Sequence, residues 1–170
     1  MTAVRIPLGD IMLWSPSHRA DDEVRPLADR HYNRQKIGAK GFVAPGRCLV
    51  FKLKVPDVQA FWVTGWPFAE YVRHAWAGAW MCSAFRNESP FLSSDLIRTA
   101  VAATRARYGE PPALGMVTFV DRDKTRRKRD PGRCYLRAGF RLCGETKGGL
   151  VALQMLPEEM PPAQPAALLT

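Results

Sequence analysis

The stretch AWMCSAFRNESPFLSSDLIRTAVAATRARYG, Ala79 to Gly109, places a strand pattern directly before the clearest helical pattern of the chain. The apolar run from Ala79 to Phe85 ends in polar Arg86, Asn87 and Glu88, as a central strand does where it leaves a sheet. Behind it, Leu92, Leu96, Ile97, Ala100, Val101, Thr104 and Tyr108 recur at the spacing of one helix face. Ser93 or Ser94 is the expected N-cap, Asp95 complements the dipole of the first turn, and Gly109 offers a left-handed stop. LGMVTFVD, Leu114 to Asp121, then reads as another strand. Strand, helix, strand in that order predicts a sheet that is at least partly parallel.

Working outward, PGRCYLRAG (131–139) reads as a short helix, and FRLCG (140–144) and GLVALQML (149–156) as the last two strands. Upstream, RCLVFKLKV (47–55) alternates at Leu49, Phe51, Leu53 and Val55, the period of a half-buried strand, and VQAFWVTG (58–65) is its hairpin partner. DIMLWS (10–15) suits a first strand, and ADDEVRPLADRHY (20–32) a helix whose Pro26 must fall in the first turn. NRQKIGAKGFVAPG (33–46) predicts a long mobile loop. The fold class is therefore mixed α/β, as one domain over residues 1–156. The proline-rich remainder, 157–170, is expected to be disordered.

The chain of 170 residues carries 25 Lys plus Arg against 16 Asp plus Glu, a net charge of +9. Such an excess attracts polyanions, nucleic acid first and an anionic cofactor or membrane surface second. Its 46% apolar and 24% charged residues exclude wholesale disorder. No apolar run is long enough for a membrane span and no signal pattern is present, so a cytoplasmic protein is expected. Cys48, Cys82, Cys134 and Cys143 lack metal-ligand spacing and are expected to be reduced, largely buried thiols. Of the five tryptophans, four fall between Trp62 and Trp80; they form either ordinary core or an exposed platform on which a ring can stack.

In sheets of this kind ligands bind where a strand ends and the next helix begins, here Phe85 to Leu96. A helix start offers free amides and a positive dipole end for a pyrophosphate, with Arg86 and the Ser93 and Ser94 hydroxyls as further donors. The alternative is that Ser94 caps the helix while Arg86 pairs with a nearby acid.

From Ala79 to Leu156 the layout resembles the acyl-CoA-binding core of the GNAT acyltransferases, and CYLRAGF (134–140) is similar to their short motif with a Tyr on a small helix before a Gly-Phe strand entry. The resemblance implies a mostly antiparallel sheet with a central splayed parallel pair flanked by helices. It also implies coenzyme A along the splayed strands, its pyrophosphate at Ser93 and Ser94, and Tyr135 as general acid to the leaving thiolate. The glycine-rich pyrophosphate loop of that superfamily is missing; RNESPFLSSD (86–95) stands in its place.

A narrower set, RHYNR (30–34), RNE with LSSDLIR (86–98), FVD (119–121) and PGRCYLRAGF (131–140), resembles the Mom family of bacteriophage DNA-modification proteins. That family has a GNAT-like fold and converts the N6 amino group of adenine in DNA to a carbamoylmethyl derivative, which blocks restriction. The resemblance implies Tyr32, Asp121 and Tyr135 as catalytic, Arg86, Ser93 and Ser94 as binding an acetyl-CoA-type donor, and double-stranded DNA as partner inside a bacterial host cell. It also implies iron, held by His31 and Tyr32 in an oxygen-rich set with Asp121 and Tyr135. On that reading Lys124, Arg126, Arg127, Lys128 and Arg129 clamp DNA phosphates beside the reactive centre, with Arg34, Lys36 and Lys40 on the other side. A conventional GNAT acyltransferase acting on another amine, and a DNA-binding accessory protein without catalysis, are the other two expectations.

Overall fold

A computed structural model describes residues 3–6, 11–124 and 132–167. Seven strands form one sheet: β1 (Ser15–Ser17), β2 (Cys48–Lys54), β3 (Val58–Gly65), β4 (Trp80–Asn87), β5 (Met116–Val120), β6 (Arg141–Glu145) and β7 (Val151–Met155). Their order across the sheet is β1-β2-β3-β4-β5-β7-β6. Every pairing is antiparallel except β4 with β5. Three helices pack on it: α1 (Arg25–Asp29), α2 (Ser93–Tyr108) and α3 (Arg133–Ala138). Among the described residues no helix is long and apolar enough to cross a membrane.

The parallel pair is brief. Its ladder runs only through Trp80↔Met116, Met81↔Val117 and Cys82↔Thr118, although β4 continues to Asn87 and β5 to Val120. The register of β4 on β3 shifts at the same level, from Val63↔Ala84 to Thr64↔Cys82, so Ser83 is an extra residue on β4. A bulge bends the strand that carries it. The bend begins where the ladder with β5 stops, and the two strands part beyond it.

One sheet face buries Phe51, Leu53, Trp62 and Trp80 against Leu96, Ile97, Ala100 and Val101 of α2. The other buries Val50, Phe61 and Val63 against Val24, Leu27 and Ala28 at α1. Both faces of β2 and β3 are thus covered, which is why Val50 through Leu53 are buried in succession instead of alternating. Trp62 Nε1 donates to Thr64 Oγ1 (2.6 Å), which lies 3.0 Å from the Thr104 hydroxyl, so a small buried polar chain ties β3 to α2. Burial of Trp62 and Trp80 assigns them to the core rather than to a stacking platform.

Several sequence expectations are corrected. The first strand is Ser15–Ser17, not 10–15: Trp14 turns into the core, where its Nε1 donates to Leu96 O (2.8 Å). The helix expected over 20–32 is one short turn, with Pro26 inside it as required. Neither Ser93 nor Ser94 caps α2; Leu92 precedes it without a side-chain cap. Residues 3–6 run across that helix start, with Leu92 N donating to Val4 O (2.7 Å) and Ile6 N to the buried Asp95 carboxylate (2.9 Å). The loop 33–46 is irregular but stapled, since Phe42 packs on Phe61 and its amide donates to Arg19 O (3.0 Å). The proline-rich tail, described to residue 167, is docked: Gln164 N donates to Ala102 O (3.1 Å), Ala167 N to Trp14 O (2.8 Å), and Met160 is buried. Met160 and Ala166 pack against the core cluster that holds Leu96, Ile97, Ala100 and Val101 of α2.

Candidate active site

Where β4 and β5 part, a cleft of about 600 Å³ opens, walled by the ends of both strands, by residues after α1 and by α3. It gathers His31, Tyr32, Arg86, Ser93, Lys124 and Tyr135, residues far apart in the chain.

Tyr135 sits on α3, its ring edge-on to Phe85 (6.3 Å) and Phe140 (5.5 Å). Its hydroxyl lies 3.6 Å from Cys82 Sγ. Removal from water raises the Tyr135 phenol well above its ordinary range, and burial pushes the Cys82 thiol up to about 12. Both groups therefore keep their protons at neutral pH. Tyr32 faces the same cleft. Desolvation raises its phenol, while a hydrogen bond from the Asp121 backbone amide works the other way.

Asp121 contributes through its turn. Its Oδ1 accepts the amides of Asp123 (3.0 Å) and Lys124 (3.2 Å), organising the start of the basic segment. Lys124 reaches back over the Tyr32 ring, 6.0 Å from its centroid, with Nζ 3.5 Å from Tyr32 O. Arg126, Arg127, Lys128 and Arg129 lie outside the described residues.

Arg86 lines the cleft but is paired with an acid, the alternative raised for it above. Its Nε donates to Glu88 (2.5 Å) and its Nη1 to Arg30 O (3.0 Å). Arg30 grips the same carboxylate with two bonds of 2.8 Å. This double pairing, Arg30 foremost, holds the Glu88 carboxyl at about 2. A folded-state value below the unfolded one stabilises the fold above pH 4.5, and that stabilisation drains away as pH falls from 4.5 towards 2. Urea unfolding is therefore expected to show wild type losing more stability than Glu88→Gln over this window, and the gap between the two closing at its acid end.

Ser93 lines the cleft, and its Oγ accepts from Asn87 Nδ2 (3.0 Å). Ser94 is buried and is not part of the cleft wall. The pyrophosphate cradle expected at the helix start is thus narrower than the sequence suggested: Ser93 remains, while Asp95 and the crossing segment 3–6 occupy its far side.

Of the residues expected around iron, His31, Tyr32 and Tyr135 line the cleft, while Asp121 Oδ1 is bonded within its own turn. The His31 and Tyr32 rings stack on each other (4.7 Å, 24°), and His31 Nδ1 accepts the Asn33 amide (3.2 Å). Among the described residues no group of three or more His, Cys, Asp or Glu is placed to hold a metal ion. Arg34 is likewise no phosphate clamp. Its side chain is 7% exposed, bonded to Asp29 (2.8 Å), Ala39 O (2.7 Å) and Gly41 O (3.0 Å), and it staples the loop. Lys36 and Lys40 on that loop are exposed.

Neither family models, nor curated proteins, nor solved structures yield a match to this chain. The site is therefore read from its own chemistry. Cys82, Asn87 and Thr118 escaped the sequence reading. Cys82 and Thr118 look like ordinary strand residues, and only the end of the ladder, with Thr118 Oγ1 donating to Cys82 O (3.0 Å), brings them to the cleft. Asn87 carries a signal, since it opens the turn-forming NESP stretch, and it binds Phe91 O (2.8 Å) as well as Ser93.

Proposed function

We propose that the protein is a GNAT-like transferase that modifies the N6 amino group of adenine in DNA with a group drawn from an acetyl-CoA-type donor, and so guards phage DNA against restriction. The observation that carries the reading is the cleft at the parted β4–β5 pair, lined by a protonated Tyr135 and by Lys124. Beyond Cys82 the edge of β4 that faces β5 has no strand partner among the described residues, so the amide links of a coenzyme A arm find strand-like hydrogen-bonding groups there. Ser93 at the start of α2 supplies a donor towards its phosphates. Tyr135 protonates the thiolate as it leaves. No step is routed through iron.

The net charge of +9 favours a polyanion as the acceptor over a small neutral amine. Plasmid DNA from cells expressing the protein, digested to nucleosides and analysed by mass spectrometry, is expected to contain a heavier deoxyadenosine species. Unaltered deoxyadenosine, with acylated tRNA or protein instead, would establish the conventional acyltransferase reading and discard this one.

A further inference from the structure

A second cavity, of about 450 Å³, lies behind the cleft, between the stapled loop 33–46 and β4. It shares His31, Asn33, Ser83 and Ala84 with the cleft, so the two spaces meet at those residues. Its walls are aromatic: Phe42 and His31 each stand edge-on to Phe61, at 5.8 and 6.3 Å. Arg34, Gln35 and Lys36 line the same cavity, which thus joins aromatic surface suited to a planar ring with polar groups around it.

Among the junction residues, Asn33 carries a side-chain amide. Its Nδ2 donates to the Ser83 carbonyl (2.8 Å), the carbonyl of the bulged residue of β4. That bond orients the amide and leaves one Nδ2 hydrogen and the Oδ1 acceptor without a protein partner among the described residues. An acceptor beside a donor on one amide matches the N6–H and N7 edge of adenine. Guanine presents two acceptors there and would set O6 against Oδ1.

We infer that this cavity receives the target adenine, extruded from the duplex, with its ring between the Phe42 and His31 walls and its N6/N7 edge read by Asn33. The inference rests on the proposed adenine modification and adds to it the pocket and the reading residue. In this seat N6 lies at the junction, with its second hydrogen free to face the cleft. Lys36 on the cavity wall and Lys124 on the cleft wall are placed for the flanking phosphates. The bulge at Ser83 then serves twice, parting β4 from β5 and turning a carbonyl outward to hold Asn33.

The test is an NMR titration of the full-length, isotope-labelled protein with deoxyadenosine and, separately, deoxyguanosine. Deoxyadenosine is expected to shift the Asn33 side-chain amide and the Gly41, Phe42 and Ser83 backbone amides, and deoxyguanosine to do so far more weakly. Phe42→Leu and Asn33→Ala are each expected to weaken deoxyadenosine binding about 10-fold in protein that still melts cooperatively. Equal response to both nucleosides, or shifts confined to the exposed Phe68 and Tyr71 surface, would overturn the inference. Should deoxyadenosine bind here while plasmid adenine stays unmodified, the pocket stands and the proposed reaction falls. Modified adenine without these shifts means the opposite: the reaction stands and the pocket falls.

Discussion

Tyr135→Phe is expected to lower adenine modification by about 10²- to 10⁴-fold, the range a positioned proton donor supplies. Stability should hardly change. The ring contacts with Phe85 and Phe140 survive the substitution, and the one bond removed among the described residues is the long one to the Cys82 thiol, worth at most about 1 kcal/mol. Nucleoside mass spectrometry after timed expression, alongside a thermal melt, separates the two effects. Full activity in the folded Phe variant would remove Tyr135 from the chemistry. It would also favour a leaving group that departs without a protein proton.

Gly115→Ala is expected to have the largest effect on stability, about 4 kcal/mol or more. Gly115 has φ +66°, and a Cβ there would lie 2.0 Å from Met155 O and 3.0 Å from Leu156 Cα, both backbone atoms that cannot swing aside. Its carbonyl accepts Trp80 N (2.9 Å) at the start of the parallel ladder, so the strain falls on the end of the ladder opposite the one where β4 and β5 part. A useful contrast is Gly109→Ala. There φ is +84° with ψ −142°, a region almost reserved for glycine, but the space is open, so only a backbone cost of about 1–3 kcal/mol applies. Urea midpoints of the two variants should therefore differ clearly; equal midpoints would mean that β7 can shift to admit the extra carbon.

The regular elements were legible because their cause is local. α2 is written in the spacing of Leu96, Ile97, Ala100 and Val101, and the β2–β3 hairpin in two apolar runs around a Pro-Asp turn. α3 is framed by Gly132 and Gly139, the boundaries expected from PGRCYLRAG within a residue or two. The tail was misread for the opposite reason. Its prolines forbid helix and sheet, which resembles disorder in composition, yet Met160 finds an apolar seat that exists only once α2 has docked.

The site was legible by residue type and not by role. Tyr32, Arg86, Ser93, Lys124 and Tyr135 do meet at one cleft. Arg34, drawn from the same basic vocabulary, is consumed by Asp29 and two carbonyls, and Asp121 spends its carboxylate on a turn. Whether a charged side chain faces water or pairs inside depends on partners distant in sequence, such as Glu88 for Arg30 across α1 and β4.

By itself, then, the sequence determined the periodic elements, their order, the positive net charge and the residue types available for chemistry, since propensity, period and net charge are properties of short windows or of plain sums. Tertiary structure alone decided the extra residue at Ser83, the three-pair ladder, the crossing of α2 by residues 3–6 and the meeting of two cavities at Asn33. Those follow from register and from long-range packing, where a shift of one residue redirects every side chain beyond it.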